Sequence, residues 1–116
     1  MKNICLLLIV LTLSSFACAQ KYYDTLFVAH WNVENLFDTT DDPKTSDEEF
    51  LPSGAKEWND ERLDKKMFNL SRVIRSMNND KGPDLLGVCE VEHQTLLDTM
   101  ITKYLSDKFY KTAYLE

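Results

Sequence analysis

The residues from Leu85 to Glu92 constrain the fold of this chain more than any other stretch. In the run Leu85-Leu86-Gly87-Val88-Cys89 no residue is charged, so both faces of a β-strand formed here are apolar. A strand of this kind is typical of a sheet that is covered on both sides, as in α/β proteins. We therefore predict a buried strand, with Cys89 as a small hydrophobic residue in the core.

Glu90 interrupts this run near the carboxyl end of the predicted strand, on the face of Leu86 and Val88. A carboxylate at such a position needs a partner, a proton or a metal ion to offset its desolvation. The carboxyl ends of strands are also where open α/β sheets bind their ligands. Glu90 is thus a candidate functional residue, and the alternative is a carboxylate that just reaches solvent.

The surrounding sequence alternates between strand and helix patterns. Residues 26–33 are rich in β-branched and aromatic side chains, and alternation puts Asn32 and Glu34 on one face of this strand. A helix is predicted to begin at Asn59 or Asp60 and to end before Gly82 and Pro83. Its apolar stripe consists of Leu63, Met67, Leu70, Ile74 and Met77. The stripe of a second helix consists of Leu96, Leu97, Met100, Ile101, Tyr104 and Leu105.

Residues 109–116 resemble a further strand, so the order of elements predicts an α/β protein. Residues 38–59 between the first strand and the first helix carry many acids and no apolar period, which predicts a solvated acidic loop. The spacing of an EF-hand calcium loop is absent from it.

The net charge of −6 argues against a basic surface that binds nucleic acid by charge alone. A phosphate-ester substrate would therefore need a bound divalent metal ion to offset this charge.

The first nineteen residues have the pattern of an export signal. A positive charge at Lys2 precedes an apolar run over residues 4–13, and Ala17-Cys18-Ala19 is a cleavage sequence of the A-x-A type. The run is too short for a transmembrane helix. We predict a signal peptide over residues 1–19 and a periplasmic or extracellular protein. The alternative is a lipoprotein anchored through Cys18.

Two segments resemble the endonuclease/exonuclease/phosphatase superfamily. The run from His30 to Asp38 is similar to its opening strand, and the run from Pro83 to Glu92 is similar to its second signature, a Pro-Asp-hydrophobic sequence that ends in the metal-binding glutamate. The loop from Asp41 to Trp58 resembles that of a secreted bacterial branch. The resemblance covers residues 26–116 and implies a domain, over residues 20–116, that is the N-terminal portion of a four-layer α/β sandwich with two facing mixed sheets flanked by helices.

The resemblance also implies a function and a site. Glu90 would coordinate a catalytic Mg²⁺ or Mn²⁺, Asn32 would lie beside the metal and the scissile phosphate, and Glu34 matches a nearby acidic position of the metal site. The expected activity is metal-dependent hydrolysis of a phosphodiester, with nucleic acid as the first candidate substrate. Carboxylate and amide oxygens are suitable ligands for such hard cations.

The chain also departs from the superfamily pattern. The later catalytic parts, which include an Asp-x-Asn pair and a terminal Asp-His, do not follow, and neither His30 nor His93 matches the context of the catalytic histidine. We therefore expect a truncated enzyme that is inactive by itself. The alternative interpretation is a secreted, non-catalytic binding module whose acidic loop binds divalent ions or a partner.

Overall fold

A computed structural model describes residues 24–115. The predicted signal peptide over residues 1–19 and the alternative lipidation site at Cys18 lie outside the described residues. The elements are strand β1 (Val28–Leu36), helix α1 (Asp60–Asp80), strand β2 (Leu85–Val91) and helix α2 (Gln94–Tyr104), with single 3₁₀ turns at Glu48–Phe50 and Ser106–Lys108. Within residues 24–115, no helix is both long enough and apolar enough to cross a bilayer.

Strands β1 and β2 pair in parallel, and α1 forms part of the long connection that a parallel pair requires. The register runs from Val28 opposite Leu85 to Asn32 opposite Cys89. The predicted mixture of strands and helices is thus confirmed, in the form of a two-stranded parallel sheet packed against helices. The four-layer sandwich stays a prediction.

Asp84 aligns the beginnings of the two strands. Its Oδ2 accepts a hydrogen bond from the backbone N–H of Phe27 at 2.7 Å, and its own N–H donates to the Phe27 carbonyl at 2.9 Å. The aspartate of the Pro-Asp sequence therefore has a structural role that determines the register of β1 against β2.

Helix α1 begins where the sequence predicts it. The side chain of Asn59 caps the helix by accepting from the N–H of Arg62, and Asp60 and Glu61 occupy the first turn, where the helix dipole favours acids. Its regular part ends at Met77, which has an extended backbone, and left-handed residues follow at Asn78 and Asn79. Of the predicted apolar stripe, Met67, Leu70 and Ile74 are buried in the core and Leu63 packs against it, whereas Met77 is not part of the core.

The core lies between the sheet and the two helices. Its buried members are Val33, Leu36, Met67, Leu70, Ile74, Leu96, Leu97, Met100 and Leu105. Polar contacts also tie α1 to α2 and to the turn that follows it. Lys103 and Tyr104 each donate to the Asp64 carboxylate at 2.6 Å, and Arg75 donates to the Tyr104 carbonyl and to Asp107.

One face of the sheet is open in the described residues, which corrects the prediction of a strand buried on both faces. Leu85 is 62% exposed, and Cys89 is an exposed free thiol rather than a core residue. The helices cover only the face that carries Val33 from β1 and Leu86 and Val88 from β2. Alternation of side chains then leaves Leu85, Gly87 and Cys89 on the opposite face.

The strand predicted over residues 109–116 is wrong for the residues described, 109–115, which have no regular secondary structure. A strand requires a neighbouring backbone with which to form a ladder, whereas this segment is held by side chains. Phe109 has a left-handed backbone, Tyr110 donates to the Pro83 carbonyl at 2.9 Å, and Tyr114 donates to the Glu92 carbonyl at 2.6 Å.

The acidic loop over residues 38–59 is less exposed to solvent than predicted. Phe50 and Trp58 are buried, their rings are in contact, and the Trp58 indole N–H donates to the carbonyl of Phe37 at 3.0 Å. Asp47 is only 2% exposed. These aromatic residues are too far apart to give a helix or strand period, but together they fix the segment against the end of β1.

Candidate functional site

The carboxyl end of the β1–β2 pair is irregular. After Asn32 pairs with Cys89, the next pair is Leu36 with Val91, so β1 carries two more residues than β2 over this interval. Glu34 and Asn35 on β1 and Glu90 on β2 have left-handed backbones, with φ of 57°, 57° and 61°. Such conformations cost about 1–3 kcal/mol each and concentrate at functional sites. The bulge turns the backbone of β1 toward the side chain of Glu90.

Asn32 and Glu90 are in direct contact. The Asn32 Nδ2 donates to Glu90 Oε1 at 2.5 Å, and the Asn32 Oδ1 accepts from the N–H of Glu34 at 2.7 Å. The two partners fix the orientation of the amide, since a carboxylate only accepts and an N–H only donates. In this structure Asn32 therefore positions the Glu90 carboxylate.

Glu90 retains capacity to bind a cation. Its Oε2 accepts one hydrogen bond, from the N–H of Asn35 at 3.2 Å, so each oxygen has one protein donor and a second lone pair that remains available. The residue is exposed. Mg²⁺ is commonly held by one or two carboxylates together with waters and substrate phosphates. The donor set around Glu90 fits such an ion.

Glu34 lies in the same bulge but its role differs from that of Asn32. Its backbone contacts Asn32, whereas its carboxylate makes no hydrogen bond to Asn32 or Glu90 among the described residues. Its negative charge acts on Lys66 of α1, as does that of Glu90. The structure thus brings Asn32 and Glu90 together and places the Glu34 carboxylate nearby without joining it to them.

Lys66 of helix α1 contacts the backbone of the bulge. Its ammonium group donates to the backbone carbonyls of Glu34 and Asn35 and lies 5.6 Å from the centre of the Trp58 ring. Burial lowers the pKa of Lys66, and the negative charges of Glu34 and Glu90 oppose that shift. Lys66 is half-buried rather than fully exposed. Its position three residues after Leu63 and four before Leu70, at the edge of the apolar stripe, is the sequence pattern that could have indicated this.

A second group of titratable residues lies just beyond this bulge. Asp38, Glu92 and His93 each offer one ligand atom, and these atoms lie within 4.8 Å of one another. Burial raises the pKa of Glu92, the nearby charges of Asp38 and Asp47 add to that shift, and the hydrogen bond from the Asp38 N–H and the charge of His93 oppose it. The resemblance of the motifs gave no reason to expect this group.

Comparison with known proteins assigns the chain to a protein family. A family model of the endonuclease/exonuclease/phosphatase family matches residues 27–116, which include both strands, both helices and the bulge. The chain belongs to the endonuclease/exonuclease/phosphatase family. No curated protein and no solved structure matches it. Members of this family generally hydrolyse phosphate esters, nucleic acids among them, and are typically dependent on divalent metal ions.

Proposed function

We propose that this endonuclease/exonuclease/phosphatase family protein contributes the Mg²⁺-binding side of a phosphodiester hydrolase whose first candidate substrate is nucleic acid. The observation that carries the proposal is the contact between Asn32 and Glu90 at the carboxyl end of two parallel strands. Open α/β sheets bind their ligands at this end. The match to the family gives the pair its chemical context.

The residues of the bulge would hold the ion and the substrate in place. Glu90 would provide the protein ligand for Mg²⁺ or Mn²⁺, because its two oxygens retain lone pairs on the exposed side. Asn32 and the N–H of Asn35 orient that carboxylate, and Lys66 holds the bulge by its two carbonyl contacts. When bound, the metal ion would supply Lewis-acid stabilisation of the negative charge that develops on the phosphoryl group.

The role of Glu34 is part of the same proposal. Its carboxylate lies near Lys66, which also interacts with Glu90, so Glu34 could complete the coordination of an ion through a water molecule or directly. An ion held by few protein ligands keeps several waters, which leaves positions for phosphate oxygens of the substrate.

We further propose that the 116-residue chain does not turn over substrate by itself. Among the described residues, the hydrogen-bond partners of the Glu90 carboxylate are an amide side chain and a backbone N–H, from Asn32 and Asn35. Neither group can remove a proton from an attacking water, and the proposed inactivity further requires that the nearby Glu34 carboxylate does not act as the base. Export to the periplasm or the extracellular space, with residues 1–19 as the signal peptide or Cys18 as a lipid anchor, completes the proposal.

Binding and turnover of the full chain test these proposals separately. Mg²⁺-dependent binding of a short DNA duplex is measured by fluorescence anisotropy, with wild type compared with Glu90→Gln. We expect binding that requires Mg²⁺ and is at least about tenfold weaker in the variant, because even residues that only support a metal ligand contribute about 10–100-fold to metal affinity. Binding that is independent of Mg²⁺, or equal in the two proteins, would contradict the proposed function.

Hydrolysis of bis(p-nitrophenyl) phosphate under the same conditions tests the second proposal. No turnover beyond that of free Mg²⁺ is expected from wild type. Mg²⁺-dependent cleavage that is lost in Glu90→Gln would establish the hydrolase and overturn the inactivity of the 116-residue chain. Glu48→Gln serves as the matched control, because Glu48 is an exposed acid in the 3₁₀ turn at Glu48–Phe50, outside the bulge.

A further inference from the structure

The second group of titratable residues joins three elements of the fold. Asp38 follows the end of β1, Glu92 follows the end of β2, and His93 is the residue before the first turn of α2. Within residues 24–115 these three form a group whose ligand atoms lie within 4.8 Å of one another. Ligands of a common Zn²⁺ lie about 2.0–2.2 Å from the ion. To bind one ion, each of the three ligand atoms would therefore move toward it by less than about 1 Å.

An unsatisfied oxygen of Glu92 indicates that this group has a ligand. The Glu92 side chain is 3% exposed, and its Oε2 accepts from the N–H of Asp38 at 2.8 Å. Its Oε1 is fully buried and has no hydrogen-bond donor. The imidazole Nε2 of His93 lies 3.9 Å from this oxygen, too far for a hydrogen bond. A buried carboxylate oxygen without a donor is costly, and a cation at this position would remove that cost.

The charges around Glu92 also favour a cation. No lysine or arginine forms an ion pair with Asp38 or Glu92 in the part of the chain that the structure describes. Asp47 is buried nearby, and its Oδ1 is likewise without a hydrogen-bond donor. Within residues 24–115, His93 is the only basic side chain within ion-pair distance of the Asp38 or Glu92 carboxylate.

We propose that Asp38, Glu92 and His93 bind a divalent transition-metal ion of the Zn²⁺ type, at a site separate from that of Glu90. The imidazole nitrogen favours Zn²⁺ over Mg²⁺, which prefers oxygen ligands, and three protein ligands leave a fourth position for water. The carboxylate of Glu90 is turned toward Asn32 and Asn35 and is not a member of the group. The ion would tie the ends of both strands to the beginning of α2, directly behind the bulge.

Zn²⁺ binding to the full chain tests this proposal. After treatment with a chelator and dialysis, the protein is titrated with Zn²⁺ alone by calorimetry, and with Co²⁺ by absorption spectroscopy to detect nitrogen ligation. We expect one site whose affinity falls about tenfold or more in Glu92→Gln and in His93→Gln. His93 is 42% exposed, so its replacement should not unfold the chain, and Gln at position 92 keeps an acceptor for the Asp38 N–H.

Two control variants separate this site from other sources of binding. Glu48→Gln and His30→Gln should bind Zn²⁺ as the wild type does, because neither residue belongs to the group or to the Glu90 site. Equal affinity in wild type, Glu92→Gln and His93→Gln would overturn the proposal. Loss of the Zn²⁺ site in Glu90→Gln would also overturn it, since the ion would then belong to the bulge. Neither result bears on the Mg²⁺-dependent DNA binding that tests the proposed function.

Discussion

Asn32 and Glu90 face each other across two parallel strands, although they lie 58 positions apart in the chain, and the Asn32 Nδ2 donates to Glu90 Oε1 at 2.5 Å. The contact exists only when β1 and β2 are paired and the bulge is formed. The geometry of the candidate metal ligand therefore depends on the tertiary fold, so changes that weaken strand pairing should also weaken the site.

The amide of Asn32 should contribute measurably to stability. Asn32→Leu has a similar volume but loses the hydrogen bonds to Glu90 and to the N–H of Glu34. Because the residue is exposed, we expect a decrease of about 1 kcal/mol in the free energy of unfolding, measured by urea denaturation. Asn35→Gly is the matched control, since its N–H to Glu90 and its left-handed backbone are both retained. Equal losses in the two variants would show that the Asn32 side chain has no specific role.

The side-chain oxygen of Asp84 should be required to align the two strands, whereas its negative charge should not be required. Asp84→Ala removes the acceptor for the Phe27 N–H, and we expect a loss of about 1 kcal/mol of unfolding free energy. Asp84→Asn keeps an acceptor oxygen and should stay within about 0.5 kcal/mol of wild type, the range of a tolerated surface change. An alanine variant as stable as the asparagine variant would contradict the role assigned to this contact.

Gly54 should not tolerate a side chain, whereas Gly87 should. A Cβ at Gly54 would collide with the backbone carbonyls of Glu48 and Glu49, the latter at 2.8 Å. We expect Gly54→Ala to destabilise the chain by about 1–3 kcal/mol, as for other forced overpacking. A Cβ at Gly87 meets the His30 ring at 3.2 Å and the Ala29 carbonyl at an ordinary contact distance of 3.9 Å. Thermal unfolding of Gly54→Ala and Gly87→Ala tests the difference. A lower melting temperature for Gly87→Ala than for Gly54→Ala would contradict the described path of the acidic loop over residues 38–59.

The ion pair between Arg75 and Asp107 should be visible in an acid titration. The hydrogen bonds from Arg75 lower the pKa of the Asp107 carboxyl from 3.8 to about 2. Because the folded-state pKa is lowered, the pair stabilises the fold fully above pH 3.8, and this contribution is lost as the pH falls through about 2. Carboxyl NMR of wild type should show the low value. Arg75→Gln should return it toward 3.8, and an unchanged titration would refute the pairing.

The sequence predicted the features that depend on local pattern. The N-cap at Asn59, the stripe from Leu63 to Ile74 and the two strands follow from spacing and from capping chemistry, and the structure confirms them. The strand over residues 109–116 failed because a strand depends on a partner backbone, which spacing does not report. The burial of Cys89 failed because an apolar pattern does not indicate which face the rest of the fold covers.

The candidate site was only partly accessible to the same reasoning. Glu90 stands out because it is the charged residue of an otherwise apolar strand, whereas Asn32 and Glu34 were indicated by the motif resemblance. The contacts of Lys66 and of the Asn35 N–H depend on a bulge whose left-handed residues are not glycines. Without a glycine at these positions, the sequence contains no signal that predicts the bulge. The group around Glu92 depends in turn on how the chain leaves both strands.

The Asn35 backbone amide offers the most direct measurement of the central claim, because its N–H donates to Glu90 Oε2. In an NMR titration of the full chain with Mg²⁺, we expect the signal of this amide to shift and saturate in wild type and in Glu48→Gln. In Glu90→Gln it should not respond to Mg²⁺. An Asn35 signal that is unaffected by Mg²⁺ in wild type, or that shifts equally in Glu90→Gln, would contradict the assignment of Glu90 as a metal ligand.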